Sequence, residues 1–133
     1  MMRTLVVLII SSLSLTAHAT SLRDLRLQET LSQVAEQSSE NTPRAINDDL
    51  TDEGYSAQGN ELVNLLSARP DYAARLQADP LLVRSQLQAS ICSDLRLRRL
   101  LDMGATLTYH FVVTGNRQPV LTQSFIAEHC QTL

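Results

Sequence analysis

The most informative segment of the sequence is Cys92–Cys130, CSDLRLRRLLDMGATLTYHFVVTGNRQPVLTQSFIAEHC. After the first cysteine, the Leu/Arg segment Leu95–Met103 predicts a short helix, which Gly104 ends in the manner of a C′ residue. From Ala105 to Thr114 the apolar period changes to two, which is typical of a half-buried strand. Turn residues at Gly115–Pro119 then predict a hairpin and a return strand that runs to Cys130.

The two faces of this hairpin differ in polarity. The residues predicted to face the core are Ala105, Leu107, Tyr109, Phe111 and Val113 in the first strand and Leu121, Phe125 and Ala127 in the second. The opposite face of the first strand carries Thr106, Thr108, His110, Val112 and Thr114. Because an isolated hairpin is marginally stable in water, we expect it to pack on helices and to offer its free edges to a partner strand.

The two cysteines of the chain, Cys92 and Cys130, bound this stretch. In an exported protein an even number of cysteines indicates disulfide pairing, and two cysteines allow one connectivity. A loop of this length stabilises a fold by about 4 kcal/mol in the chain-entropy model. The alternative is a metal site that adds His129, although this pair lacks the spacing of a zinc site. We predict the disulfide, and no metal or cofactor.

Upstream, the pattern predicts helices. Leucines recur at three- and four-residue spacing in Thr20–Ser38, and the block from Glu61 also has helical patterning that stops near Ala68. Pro70 and Pro80 each stand where a first helical residue belongs, and Asp79 is a natural cap for the second of these helices. The sequence therefore predicts an α+β fold, with N-terminal helices packed on a C-terminal antiparallel hairpin.

The segment between the first two helical patterns is acidic and polar. Ser39–Asn60 is rich in Ser, Asn, Pro, Asp and Gly and contains Asp48, Asp49, Asp52 and Glu53. Its order of acids does not fit the twelve-residue calcium loop with a central glycine. We interpret it as a long solvated acidic loop within a single domain, 20–133.

The first residues have the features of an export signal. Arg3 gives a short basic region, Leu5–Leu15 is mostly apolar, and Ala17-His18-Ala19 matches the small-x-small cleavage pattern. The apolar run is shorter than the about 20 residues that a membrane-spanning helix needs. We predict a signal peptide at 1–19 and a periplasmic or secreted product without a stable membrane anchor; a retained interfacial anchor is the alternative.

The charge of the chain excludes one large class of partner. Its 11 basic and 14 acidic residues give a formal charge of −3, and every basic residue is an arginine. A nucleic-acid binder carries a clustered basic patch, which this sequence lacks. The triplet Arg96, Arg98 and Arg99 alternates with leucines, so these arginines either lay their stems along the core or form an anion site.

Motifs of the common enzyme classes are missing from the sequence. It has no G-x-S-x-G elbow, phosphate loop, dinucleotide fingerprint or zinc-protease helix. His110 and His129, the two histidines beyond the predicted signal, stand in no nucleophile motif. We therefore predict a protein that is not an enzyme. A hydrolase too divergent to recognise is the alternative, and it requires a deep pocket around these histidines or the acids.

The C-terminal third resembles a known family. Cys92, Leu100–Gly104 (LLDMG), Thr108–Phe111 (TYHF), Gly115 and Cys130 are similar to the pattern of the putative quorum-sensing-regulated virulence factor family. The resemblance implies a small exported protein of a Gram-negative bacterium, with a fold similar to pilotin-like secretion accessory proteins and no catalytic residues to carry over. The residue directly after Ala19 is Thr20 rather than a cysteine, which differs from the lipidated pilotins.

Two functional hypotheses follow from the sequence. The first is an exported accessory or virulence-associated protein that acts by contact with an unidentified protein partner. Its predicted contact surface is the hairpin edge with the arginine helix: Arg96, Arg98, Arg99, Thr106, Thr108 and His110. The second is an exported inhibitor of a host or competitor enzyme, such as a lysozyme or protease, that inserts the acidic loop 39–60.

Overall fold

The structure is a computed structural model that describes residues 21–131, so the predicted signal peptide lies outside the described residues. The helices and strands follow in the order α1 (Leu22–Ser39), β1 (Arg44–Ala45), β2 (Leu50–Gln58), β3 (Glu61–Ala68), α2 (Pro70–Ala78), α3 (Pro80–Ser93), α4 (Leu95–Asp102), β4 (Thr106–Val113) and β5 (Pro119–Phe125). A short 3-10 helix, Ala127–Cys130, closes the described chain. The α+β class predicted from the sequence is confirmed, but the sheet is larger than a hairpin.

The helices begin and end where the capping residues indicate. Ser21 caps α1 by accepting the backbone N–H of Asp24, and Asp79 caps α3 by accepting that of Leu82. Both α2 and α3 begin with a proline, which lacks the N–H that a first helical residue leaves unpaired. The predicted α1, α2 and α3 are therefore confirmed. Gly104 follows α4 with φ +104°, in the region that glycine tolerates best.

Within residues 21–131, five strands form one mixed sheet in the order β1-β2-β3-β4-β5. β1, β2 and β3 are antiparallel neighbours, and so are β4 and β5, whereas β3 and β4 pair in parallel. A parallel pair needs a long crossover connection, and α2, α3 and α4 provide it. β4 is thus an inner strand, and the predicted hairpin is one side of a five-stranded sheet.

Two predictions for the middle of the chain are wrong. The segment from Glu61 to Ala68 is not helical but forms β3, in which Leu62, Leu66 and Ala68 are buried. Residues 39–60 do not form a long loop, because Leu50–Gln58 is the nine-residue strand β2 and pairs along β3. An inner strand is apolar on both faces, which gives the same short apolar run as a buried helix.

The core lies between the helices and one face of the sheet. One cluster joins Leu27 and Leu31 of α1 to Leu107 and Phe125 of the sheet, and the second places α2 and α3 over Leu66 and Phe111. Tyr109 and Leu87 contact both clusters, so all four helices of residues 21–131 pack on the same face. α1 lies closest to β2, so the helices pack on the whole five-stranded sheet of the described chain and not on the predicted hairpin alone.

The disulfide closes the end of the chain against the helices. Cys92 and Cys130 are bonded, with their Cα atoms 5.3 Å apart, which confirms the predicted pair. The return strand ends at Phe125 rather than at Cys130, because the chain turns into the 3-10 helix. The bond therefore joins the end of α3 to that 3-10 helix, and Cys92 lies two residues before the Asp94 that caps α4.

A groove between the first and fourth helices as candidate functional site

A groove of about 450 Å³ lies between α1 and α4. The α1 wall consists of Thr30, Val34, Gln37 and Ser38, which recur at helical spacing on one side of the helix. Tyr55 of β2 and Leu62 of β3 form the floor, and Asp94, Arg96, Leu97, Arg99, Leu100 and Met103 form the α4 wall. A volume of this size is within the range of about 300–1,000 Å³ that ligand sites occupy.

The α4 wall combines apolar and cationic side chains. Asp94 fixes the first turn of the helix, because its carboxylate accepts the backbone N–H groups of Arg96 and Leu97 at 2.9 and 3.3 Å. Arg96 and Arg99 then lie one turn apart on the groove side. Neither guanidinium has a carboxylate within 4.0 Å among residues 21–131. Met103 at the end of the wall is 38% exposed, so apolar surface remains open to a partner.

At one end the groove continues into a polar pocket of about 250 Å³. The side chains that line this pocket are Gln37, Ser38, Asn41, Thr42, Arg44, Asp52, Tyr55 and Arg96. Asp52 is only 4% exposed, and its Oδ1 accepts hydrogen bonds from the Asn64 amide and the Gly54 backbone, both at 2.9 Å. Its Oδ2 lies 4.0 Å from the Arg44 guanidinium. Asp52 is therefore held by fixed donors, as expected for a buried carboxylate.

Two tyrosines of the sheet have perturbed acidity: Tyr55 in the floor of the groove, and Tyr109 two strands away from it. Tyr55 and Tyr109 flank Asn64 in one cross-strand row. Burial is the main reason that the pKa of Tyr109 lies well above its usual value, and Tyr55, Asp94 and Asp52 raise it further. Burial and the negative charge of Asp52 raise the pKa of Tyr55 as well. Both phenols therefore stay neutral at physiological pH.

The predicted arginine surface is divided in this structure. Arg96 and Arg99 lie on the groove wall. Arg98 is half-buried and donates from its guanidinium to the backbone carbonyl of Cys92 at 3.3 Å. It ties α4 to the end of α3 and so has a structural contact outside the groove.

The predicted strand residues lie on the other face of the sheet. Thr108 is buried at 7% exposure and donates to the Glu61 carboxylate at 2.9 Å, while the Ser124 hydroxyl is also 2.9 Å away. His110 Nδ1 is 2.7 Å from the hydroxyl of Thr122. Thr106 pairs with Glu61 at the start of β4, where its backbone N–H donates to the Asn60 carbonyl. Thr106, Thr108 and His110 therefore do not meet Arg96 and Arg99 in one site.

The outer edge of β5 is covered by side chains from the helices. Gln77 of α2 donates to the Val120 carbonyl at 3.4 Å, and Arg84 of α3 donates to the Ser124 carbonyl at 3.1 Å. The opposite edge of the sheet is β1, which has two residues. Short and covered edges discourage strand addition, which disfavours the predicted docking at the hairpin edge.

The side chains considered for metal binding and hydrolysis have other contacts. The thiols of Cys92 and Cys130 are joined, so neither is a ligand. His129 accepts the Ile126 backbone N–H at Nδ1, and His110 bonds across the sheet to Thr122. Within residues 21–131, no three His, Cys, Asp or Glu side chains are grouped as metal ligands. The same residues include no helix long and apolar enough to cross a bilayer.

Sequence reasoning missed the α1 wall. Thr30, Val34 and Ser38 recur at four-residue spacing, one position before the buried stripe of Leu31 and Ala35. Val34 is half-buried against the core, and the polar side chains beside it resemble any solvated helix face. No pattern within α1 alone predicts the groove, because the groove exists only where α4 lies opposite α1.

The chain matches one protein family and is similar to a protein of known structure. The sequence pattern of the family described as "Putative quorum-sensing-regulated virulence factor" matches residues 20–131. A putative secreted protein from Pseudomonas aeruginosa is similar in sequence and structure: identity is 48%, the match covers 84% of this chain and 98% of that chain, and the TM-score is 0.80. No protein with a curated functional description matches the sequence significantly.

Two pilotins of type II secretion systems share the fold at lower identity. The pilotin EpsS from Vibrio vulnificus is 21% identical with a TM-score of 0.69, over 82% of this chain and 96% of that chain. The pilotin AspS from Vibrio cholerae is 18% identical with a TM-score of 0.61, over 81% of this chain and 95% of that chain. At such identities the comparison establishes the fold alone.

Proposed function

The chain belongs to the quorum-sensing-regulated virulence factor family, and on that premise we propose that it is an exported, non-enzymatic accessory protein that holds a helical segment of another protein in the α1–α4 groove. Export is supported by the predicted signal peptide and by the Pseudomonas aeruginosa relative described as a putative secreted protein. The pilotins with the same fold serve secretion systems by name, which makes an accessory role in export the first hypothesis to test.

The single observation that carries this proposal is the groove, which has apolar side chains at its base and polar or charged side chains on its rims. Val34 and Leu97 are half-buried and offer apolar contacts above the buried Leu62, and Met103 extends this apolar surface outward. Exposed apolar surface rimmed by polar residues is typical of a protein interaction site.

A helix fits this groove better than an extended segment. The walls are helices whose backbone groups bond within each helix, and the floor is a sheet face, so the groove presents side chains rather than an unpaired strand. An extended peptide would leave its own buried N–H and C=O groups unpaired there, whereas a helix satisfies them internally.

The length of the groove sets the size of the bound segment. The α1 wall extends from Thr30 to Ser38, which corresponds to about 12 Å along a helix. A partner helix that lies along this wall therefore contacts it over roughly two turns. Contact of that size suits a short anchoring helix at the end of a partner chain.

A substitution at the junction of groove and polar pocket tests the proposal. Ser38 is exposed and lines both, so Ser38→Trp should block them without disturbing the core. Ser32→Trp is the matched control, because Ser32 is exposed on α1 and lies outside the groove lining. We expect the wild type and Ser32→Trp to recover the same partner from the periplasmic fraction of the producing bacterium, and Ser38→Trp to lose it. Equal recovery by all three proteins would contradict the proposed site.

The hypothesis of an enzyme inhibitor depends on a projecting acidic loop at residues 39–60, and much of this segment is the strand β2. The acidic segment was expected to project as an insert, yet Asp52 is buried in the sheet and Glu53 accepts a hydrogen bond from Ser67 at 2.7 Å. Asp49 lies 3.7 Å from Arg75 of α2. These acids contribute to the fold of β2 and its neighbours, so we do not propose an inhibitory loop.

A further inference from the structure

We infer that the partner helix carries two carboxylates about one turn apart, which pair with Arg96 and Arg99 on the α4 wall. This inference rests on the proposed function and adds the chemistry of the partner to it. It makes these two arginines the residues that determine specificity, while the apolar base of the groove contributes contact area.

The arrangement of the two guanidiniums carries the inference. Arg96 and Arg99 are both exposed, both line the groove, and are separated by three positions on one helix, about 4.5 Å along its axis. Acidic residues at three- or four-residue spacing on a facing helix repeat at the same interval. Arginine also accepts carboxylates in a bidentate geometry, which adds orientation to the attraction.

The rest of the groove compensates this positive charge only in part because, within residues 21–131, Asp94 is the one acid in its lining beside two arginines. The α1 wall, made of Thr30, Val34, Gln37 and Ser38, has no charged residue. Asp94 is engaged as the cap of α4, and Asp52 in the adjoining pocket is held by Asn64 and by the Gly54 backbone. The α4 wall is thus a positive site on a chain whose formal charge is −3.

The free-energy cost of removing water from Arg96 and Arg99 disfavours a partner helix that is neutral or basic. A neutral helix that covered the wall would remove water from two guanidiniums that have no carboxylate within 4.0 Å in residues 21–131. Burial of an unpaired charge is strongly unfavourable, and a basic helix would add repulsion. A helix that supplies carboxylates at this position turns the same burial into charge-assisted hydrogen bonds.

A display library of short helical peptides, with an alanine and leucine framework and randomised surface positions, tests the inference. Selection on the wild type should enrich Asp or Glu at two positions three or four apart, and selection on the double variant Arg96→Glu/Arg99→Glu should enrich Lys or Arg there. The peptides selected on the wild type should bind the double variant at least about tenfold more weakly. Their affinity for the wild type should fall as the salt concentration rises, because salt screens the attraction between the carboxylates and the two arginines. They should bind Arg117→Glu, a charge reversal in the distant hairpin turn, with unchanged affinity.

The outcomes separate this inference from the proposed function. Selected peptides without an acidic preference, or with equal affinity for the wild type and the double variant, would overturn the inference; if Ser38→Trp still abolished their binding, the groove would stand. Peptides that bind Ser38→Trp as tightly as the wild type, or a library that yields no binder to the wild type, would overturn both. Circular dichroism of each variant confirms that the fold is retained.

Discussion

At the scale of single residues, Gly54 sets the position of α1 against the sheet. Gly54 has φ +116° and lies at the register shift of β2, beside the end of α1. The Ser39 hydroxyl accepts the Tyr55 backbone N–H at 2.8 Å and lies 3.2 Å from the Tyr55 carbonyl. Since Gln37 and Ser38 immediately precede Ser39, this contact also places the polar end of the groove.

Gly54→Ala should therefore destabilise the protein by about 1–3 kcal/mol, the typical cost of a residue held in such a backbone region. A Cβ atom there would lie 3.1 Å from Thr42 Oγ1 and 3.3 Å from Ser39 Oγ. Gly59→Ala is the matched control, because Gly59 also has positive φ but a Cβ there meets open space. Urea unfolding measures both variants, and a loss for Gly54→Ala no greater than that for Gly59→Ala would contradict this account.

Tyr109 makes stability depend on pH in the alkaline range. The chain contains no lysine and both cysteines are paired, so tyrosines are the side chains that titrate near pH 10. Burial raises the pKa of Tyr109 in the folded protein above its unfolded value of 10.0. The folded state then holds this proton more tightly, so the stabilisation is complete below pH 10 and is lost progressively above it.

The wild type should lose up to about 1.4 kcal/mol per pH unit above pH 10 through Tyr109, with a smaller loss through Tyr55. In Tyr109→Phe this slope should decrease, whereas the free energy of unfolding at pH 7 should change little because the phenol has few contacts to lose. Urea unfolding at pH 9, 10 and 11 measures the slope. Parallel curves for the wild type and Tyr109→Phe would show that burial of this phenol has no such effect.

At the scale of elements, Arg84 fastens α3 to the outer strand. Its guanidinium donates to Gln123 Oε1 at 2.8 Å and to the Ser124 carbonyl at 3.1 Å, and lies 4.6 Å from the centre of the Phe125 ring. Two hydrogen bonds and a cation–π contact thus act on one strand edge.

Arg84→Ala should reduce the free energy of unfolding by about 2 kcal/mol. Arg84→Lys should recover only part of this loss, because an ammonium lacks the planar fork that reaches two acceptors and stacks on the ring. Urea unfolding of the three proteins gives the order wild type, Lys, Ala. Full recovery by lysine would show that charge alone matters at this position.

The elements also show what the sequence can and cannot predict. Helices with strong caps, such as α3 behind Asp79 and Pro80, and the alternating strand β4 are visible in the sequence because local chemistry specifies them. β3 is not, because an inner strand is apolar on both faces and its partner β4 is 45 positions away in register. β2 is hidden by its polar composition, since Asp52 is buried through contacts with Asn64 that only the sheet provides.

At the scale of the whole molecule, the disulfide stabilises the arrangement that forms the groove. The bond joins residues 38 positions apart and anchors the end of α3, from which α4 begins after one capping residue. The α4 wall of the groove therefore depends on a region that the disulfide holds against the core, where Cys130 is buried.

The double variant Cys92→Ala/Cys130→Ala should be less stable than the wild type by about 4 kcal/mol, because its unfolded state is no longer restricted by the loop. The two alanines avoid a lone reactive thiol. Thermal and urea unfolding under non-reducing conditions measure the difference. A loss below about 1 kcal/mol would show that the core alone maintains the fold.

The molecule presents two different faces, which explains why the predicted contact surface was only partly assembled. The helices cover one face and leave the groove with Arg96 and Arg99, whereas His110 and Thr108 lie on the other face of the sheet. One sequence segment supplies both surfaces, because α4 leads into β4 through Gly104. The sequence therefore predicts one contact surface because these residues are close along the chain, but the turn between α4 and β4 places them on different faces of the molecule.

The most direct test of the central claim is photo-crosslinking in the producing bacterium with p-benzoylphenylalanine placed at single positions. Placed at Ser38 in the groove, the probe should form an adduct with one partner protein, and mass spectrometry should locate it on a helical segment that bears acidic residues. Placed at Ser32 on the far side of α1, or at Thr122 on the opposite sheet face, it should form none. An adduct at Thr122 together with none at Ser38 would contradict the claim that the groove is the surface through which this protein acts.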